Sequence, residues 1–202
     1  MKPVLMIHEV REWMFDLPLQ DYTLTFDDGL YSQYYYNDRF KQLGTQRIYF
    51  ISSNIISNSI QSIEFPTCVE AHKKARLGNT EDYMSVEQIK DLMQDPNVVI
   101  GAHSHSHTRL NTFKTLAEKV KYINSDTELM LQWFDATLDF KPTHFCFPYN
   151  EDLDGLYQGL LKKQGFTDFY GRGRIPVETL LRDQALLDNH DISLAWSLPL
   201  YS

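Results

Sequence analysis

Two adjacent carboxylates, Asp27 and Asp28, end the run of strand-forming residues Tyr22 to Phe26, and Gly29 follows at once. Neighbouring side chains on an extended chain point to opposite faces, so the two acids take separate roles only if the backbone turns there; Gly29 permits the turn. One acid can then face a metal and the other a substrate. Asp-Asp-Gly is also an ordinary turn sequence, and a second cluster decides between the readings. Val98 to Ala102 reads as an apolar strand, and it runs into His103-Ser104-His105-Ser106-His107, three of the seven histidines within five residues. His103 and His107 stand four apart, which puts both imidazoles on one face if the segment coils into a helical turn. Two imidazoles and a carboxylate suit Zn²⁺, or another divalent ion such as Co²⁺, Ni²⁺ or Mn²⁺. They leave coordination positions for water and substrate, as catalytic sites do.

The elements that must position these residues alternate. Val4 to Ile7 is a short strand delivering His8 to its C-terminal end. After an irregular segment to Asp21 and the Tyr22 to Phe26 strand, residues 30–43 read as one helix stopped by Gly44, and Gln46 to Ile51 as a third strand. Residues 52–82 show no lasting period and read as a functional loop shaping the substrate groove, with His72, Lys73, Lys74 and Arg76 as a solvated face. Ser85 with Gln88 has the spacing of a capping box opening a helix to about Gln94. A long helix is expected from a cap at Asn111 or Thr112 to about Asp139. Then come a strand over Thr143 to Phe147 stopped by Pro148, a helix over Asp154 to Lys163 closed by Gly165, and a strand over Phe166 to Tyr170. Residues 175–181 and 192–196 supply further short elements. Such alternation implies parallel strands with covering helices, whose chemistry gathers at the strand C-terminal ends. His8, Asp27, Asp28, His103, His107 and Tyr149 all fall at such ends.

The bounds agree with one ordinary folded domain spanning residues 1–202, with 43% hydrophobic and 13% aromatic residues. A net charge of −8 without any Lys/Arg run argues against nucleic acid or an anionic membrane as partner. Cys68 and Cys146 make no disulfide framework. The polar interruptions at His8, Glu9 and Arg11 leave no signal-peptide apolar core, and no segment reaches the ~20 apolar residues of a transmembrane helix. A cytoplasmic location is therefore expected.

Three segments carry a family resemblance: Thr25-Phe26-Asp27-Asp28-Gly29, His103-Ser104-x-x-His107 and Phe145-Cys146-Phe147-Pro148-Tyr149. In this order they resemble the first three motifs of the NodB-homology polysaccharide deacetylases, carbohydrate esterase family 4. The resemblance implies an α/β fold, a distorted, incomplete (β/α)7 barrel of the NodB type. It also implies metal-dependent removal of N-acetyl groups from an amino sugar, with Asp28, His103 and His107 as metal ligands, Asp27 as general base and the Tyr149 backbone N–H as oxyanion donor.

The chain departs from that pattern in places. The late Leu-x-His motif that carries the acid in most relatives is replaced by Asn189-His190-Asp191, without an apolar strand before it. Leu5-Met6-Ile7-His8-Glu9-Val10 resembles the opening of the permuted subgroup that deacetylates poly-N-acetylglucosamine, which makes His8 the expected acid. His105 and His144 are expected to be structural, and His72 to lie at the surface. Where many relatives carry Arg in the third motif this chain has Cys146, expected as a small buried hydrophobe. Arg174, in a segment resembling that subgroup's late Arg-Ile-Pro, is expected to steady Asp27. Trp13, Tyr31, Phe147 and Tyr149 are candidates for stacking on a sugar ring. The expected substrate is an acetylated amino sugar or a lipid- or nucleotide-linked precursor in surface-polysaccharide biosynthesis. The alternatives are an O-acetyl esterase or other amidase on the same site, and a catalytically silent carbohydrate-binding protein.

Overall fold

In the computed structural model, which describes residues 2–187 and their side chains through 184, the apolar runs become seven short strands. These are β1 (Val4–Ile7), β2 (Thr23–Phe26), β3 (Arg47–Ile51), β4 (Val98–Ala102), β5 (His144–Cys146), β6 (Asp168–Tyr170) and β7 (Ile175–Pro176). They form one sheet in the order β6-β5-β4-β3-β2-β1-β7, and every paired neighbour runs parallel. The sheet curls into an incomplete barrel of the expected kind. All five residues of β3 are buried, as a parallel strand covered on both faces requires. Gly101 in β4 is there for space: a Cβ at this position would lie 2.6 Å from the Phe50 ring of β3.

Among the described residues, seven helices connect and cover the strands: α1 (Tyr31–Tyr35), α2 (Asn37–Gln42), α3 (Cys68–Ala75), α4 (Val86–Leu92), α5 (Leu116–Leu138), α6 (Leu156–Lys163) and α7 (Val177–Leu187). Strand-borne Leu5, Ile7, Phe26 and Tyr49 pack with Phe40 of α2, and the Phe26 and Tyr49 rings stack at 4.5 Å. Phe134 of α5 and Tyr157 of α6 join Phe145 and Phe166 in the same core. Truncating a fully buried ring such as Phe26 to Ala costs about 3–5 kcal/mol in such a setting.

Four local expectations are corrected. The helix expected over residues 30–43 breaks at Tyr36, whose φ of −91° and ψ of 7° end α1 and open α2. The irregular stretch 52–82 contains α3, opened by a capping box between Thr67 and Glu70. The long helix starts at Leu116, capped by Thr115 with Glu118, because residues 110–112 form a separate 3₁₀ turn. Residues 12–16 and 19–21 are also 3₁₀ turns rather than irregular chain. The Ser85–Gln88 capping box is present as expected. His190 and the 192–196 segment lie outside the described residues.

Candidate metal centre

The acids separate because the backbone turns left-handed at the end of β2. Asp28 has φ 74° and Gly29 φ 79°, so Asp27 continues the strand while Asp28 swings away from it. Asp27 is held by Arg174, which donates from Nη1 to Oδ1 at 2.6 Å and from Nη2 to Oδ2 at 2.8 Å. The same guanidinium donates to Thr25 Oγ1 at 3.1 Å and meets Cys146 Sγ at 3.0 Å. Burial alone would raise the Asp27 pKa, but the charge and hydrogen bonds of Arg174 overcome it, aided by His103 and His8, and hold it below the usual carboxylate range. Arg174 thus contacts both oxygens of Asp27, the acid it is expected to steady. Cys146 is fully buried, as expected, and its thiol also faces Asp27 Oδ2 at 3.5 Å.

The histidine segment is not the helical turn its spacing suggests. Ser104 and His107 both adopt left-handed backbone, with φ 66° and 47°, and the His107 N–H donates to Ser104 Oγ at 3.0 Å. Asp126 of α5 pins the loop by accepting the amides of His105 and Ser106 at 2.8 and 3.0 Å. This hairpin-like turn brings both imidazoles to one carboxylate: Nε2 of His103 lies 3.3 Å and Nε2 of His107 3.1 Å from Asp28 Oδ1. Backbone held in sparsely populated regions at several points of one site marks a place where geometry is fixed at the expense of relaxed conformation. His105 Nδ1 pairs with the Ser53 hydroxyl at 2.8 Å and His144 Nδ1 with the Thr143 hydroxyl at 3.1 Å, and neither lines the cleft.

The donor set fits a divalent cation. Asp28 Oδ1 is buried without a hydrogen-bond partner, the three ligand atoms lie within 4.8 Å of one another, and the 3.3 and 3.1 Å from the two imidazole nitrogens to Asp28 Oδ1 are close to the ~3.3 Å that tetrahedral bonds of ~2.0–2.1 Å set between neighbouring donors on one zinc ion. His103 Nδ1 lies 2.8 Å from the Cys146 carbonyl; donating its proton there leaves Nε2 as the ligating nitrogen. Burial pushes His107 down to about 3, which keeps its imidazole neutral, whereas at His103 burial is overcome by Cys146 and Asp28, which push it up, so a cation binding there would displace the His103 Nε2 proton. Two other groups are similarly compact, His8–Asp28–Cys68 and Asp27–His103–Cys146. They suit a cation less well, because burial raises both thiols and keeps them protonated, and Arg174 occupies both oxygens of Asp27.

His72 is the residue the sequence reading placed wrongly. Its side chain is 13% exposed, with Nε2 at 3.3 Å from Asp28 Oδ2 and Nδ1 at 3.1 Å from the buried Tyr83 hydroxyl. Its ring stacks on His107 at 4.5 Å, and Cys68, one turn earlier, donates its thiol to Asp28 Oδ2 at 3.0 Å. The signal was legible: Thr67 and Glu70 spell a capping box, and Cys68, His72 and Arg76 then follow at four-residue spacing on one face.

These groups line a cleft of about 360 Å³ with His8, Lys73, Arg76, Arg109, Phe147 and Tyr149. His8 Nε2 lies 3.9 Å from Asp27 Oδ2. Tyr149 sits at the mouth with left-handed backbone, φ 55°. Trp13 and Tyr31 are not in this lining; Tyr31 packs against Tyr35 and Phe65 instead.

Similar folds are known. IcaB from Ammonifex degensii matches with TM-score 0.63 and 18% identity over 87% of this chain and 84% of its own. The de-N-acetylase from Aggregatibacter actinomycetemcomitans matches at 0.61 and 12%, over 87% and 93%. The BpsB deacetylase domain from Bordetella bronchiseptica matches at 0.59 and 14%, over 87% and 94%. At such identities the likeness is one of fold. No curated protein matches the chain significantly. Residues 18–168 match the family described as polysaccharide deacetylase, a span holding both acids, the histidine loop and the Phe145–Tyr149 turn, and the chain belongs to that family.

Proposed function

We propose that the protein is a metal-dependent N-deacetylase acting on an acetylated amino sugar, in a polysaccharide or its precursor. The observation that carries this is the division of labour between neighbouring acids. Asp28 faces two imidazoles with an unsatisfied oxygen, while Asp27 is clamped beside it by Arg174 and opens on the same cleft. A binding protein has no use for that second, oriented carboxylate.

Asp28, His103 and His107 would hold the ion, which when bound supplies a Lewis acid that polarises the acetyl carbonyl and makes water more acidic. Asp27 takes the proton from the attacking water as general base. Both of its oxygens are fixed by Arg174, so it meets that water without first reorienting. The Tyr149 amide donates to the oxyanion of the tetrahedral centre. His8, at the end of β1 and 3.9 Å from Asp27, protonates the departing amine, which is a poor leaving group without that proton. His72 and Cys68 keep Asp28 turned so that Oδ1 faces the imidazoles. The fold shared with a de-N-acetylase from Aggregatibacter and with the BpsB deacetylase domain supports an acetylated substrate.

Zinc- or cobalt-loaded protein should release acetate from chitooligosaccharides or from nucleotide-linked N-acetyl sugars. Asp27→Asn should retain the metal and lose about 10²–10⁴-fold in kcat. Equal acetate release by wild type and Asp27→Asn would remove Asp27 as the base. Faster release from O-acetylated xylan than from any N-acetyl sugar would turn the reading to an esterase.

A further inference from the structure

The formal charge of the chain is −8, yet the mouth of the cleft is cationic. Apart from the buried Asp27, Asp28 and Cys68, the acid–base lining of the cleft consists of its histidines with Lys73, Arg76, Arg109 and Tyr149. Among the described residues, neither Arg76 nor Arg109 forms an ion pair. Lys73 stands one helical turn from Glu70, whose charge it feels, so the weight falls on the two arginines.

Their placement is specific. The Arg109 guanidinium lies 3.8 Å over the Tyr149 ring, and that ring packs on His107 at 4.7 Å. Stacking on an aromatic face fixes a guanidinium plane while leaving its N–H edge available. Arg76 approaches the same phenol from α3. Arg76 and Arg109 both line the cleft beside Tyr149. One guanidinium therefore covers the Tyr149 ring and a second lines the same cleft, a short stack away from the His107 imidazole.

We propose that Arg76 and Arg109 form an anion subsite, and that the substrate is an amino sugar carrying a phosphoryl or carboxylate group next to the acetamido-bearing ring. This rests on the reading of the cleft as the deacetylation site. Guanidinium forks match both kinds of anion with paired, charge-assisted hydrogen bonds. Two sources supply that chemistry: a phosphate ester at the sugar's reducing end, or the carboxylate of a neighbouring uronic acid. A neutral homopolymer offers neither, and leaves the two arginines without a ligand.

The test has two arms on the metal-loaded protein. The first measures kcat/KM for acetate release from three probes: N-acetylglucosamine trisaccharide, N-acetylglucosamine 1-phosphate, and a disaccharide of N-acetylglucosamine with glucuronic acid. One charged probe should exceed the neutral one by about 10–100-fold, and which one does so identifies the source. The preference should shrink as salt rises. In the double variant Arg76→Gln, Arg109→Gln the charged-to-neutral ratio should fall to within about threefold of one. Reading the ratio cancels any general loss from loosening Tyr149, and Arg→Lys at both positions should restore part of it.

The second arm measures calorimetric binding of glucosamine 1-phosphate and glucosamine, which have no acetyl group to lose. If no probe releases acetate, the deacetylase reading fails, while this arm still judges the subsite. Equal affinity for charged and neutral sugars overturns the proposal. So does a charged-sugar preference that survives in the double variant, since the anion would then be contacting the metal rather than the arginines.

Discussion

Each end of the sheet holds a buried arginine paired with an aspartate, and the two pairs differ in what surrounds them. At the N-terminal end, Arg47 of β3 donates to Asp95 at 2.5 Å and to Asn37 at 2.6 Å, and the Asn97 amide takes the other Asp95 oxygen at 2.9 Å. Both terminal nitrogens of Arg47 and both oxygens of Asp95 turn toward other groups of the fold, and only Arg47 Nε is left without a hydrogen-bond partner. At the C-terminal end, Arg174 grips Asp27 by both oxygens, but that carboxylate also lines the cleft with His8 at 3.9 Å. An arginine holds the charge in both places. Access to a cleft, and a second acid released by a left-handed turn, distinguish a base from a brace.

The sharpest way to break the comparison is to remove one partner at each end. Asp95→Ala should lower stability by about 3 kcal/mol, because it leaves the Arg47 charge buried without its carboxylate. Chemical denaturation measures that loss, and kcat per folded molecule should stay near wild type. Arg174→Met should do the reverse and lower kcat by about 10²-fold, as a base without its clamp loses orientation. The loss of melting temperature should be smaller than for Asp95→Ala, since cleft water or a proton can reach Asp27. Two variants with the same ratio of stability loss to activity loss would abolish the distinction.

His72 sharpens it further. Among the described residues, the placing of His72 between the Tyr83 hydroxyl, 3.1 Å from its Nδ1, and Asp28 Oδ2, 3.3 Å from its Nε2, has no counterpart around Asp95. Outer partners of metal-binding carboxylates set ligand orientation, so His72→Gln should weaken Zn²⁺ binding by about tenfold in a chelator competition, with little change in the denaturation midpoint. Unchanged zinc affinity would reduce His72 to packing.

The same contrast explains what could be read in advance. Strand positions and the rim that collects the chemistry follow from local periodicity, and β1 to β4 fall within a residue of their expected bounds. Asp27 and Asp28 were legible because an acid pair before glycine is unusual at a strand end. His103 and His107 were paired correctly but for the wrong local reason: their convergence comes from two left-handed residues and from Asp126, 20 residues on, not from a helical turn. Helix α3 has no apolar period, because only Cys68 and Ala71 on it are buried; what it offered was the Thr67–Glu70 capping box and the four-residue spacing of Cys68, His72 and Arg76, a polar signal that a search for apolar periods passes over. The Arg174 clamp spans 147 residues, a contact that no local pattern encodes and that only the family resemblance suggested.

A third buried acid completes the series with the smallest effect. Glu178, in the first turn of α7, is 6% exposed and sits near Glu9. Burial raises its pKa to about 7, with Glu9 adding to the rise and Arg182 opposing it. Between the unfolded value near 4.5 and the folded value near 7, the native state holds a proton that the unfolded chain has released. Stability from this group is therefore complete below about pH 4.5, falls as pH rises through 7, and stays lost above it. Glu178→Gln fixes the neutral form, so it should match wild type near pH 4.5 and exceed it at pH 8 by about 1–3 kcal/mol. Paired urea titrations at the two pH values measure the difference, which cancels every other titrating group. A gain of equal size at both would assign the effect to packing in α7, and would leave arginine pairing at Asp27 and Asp95 unnecessary as the explanation of how this fold keeps buried carboxylates charged.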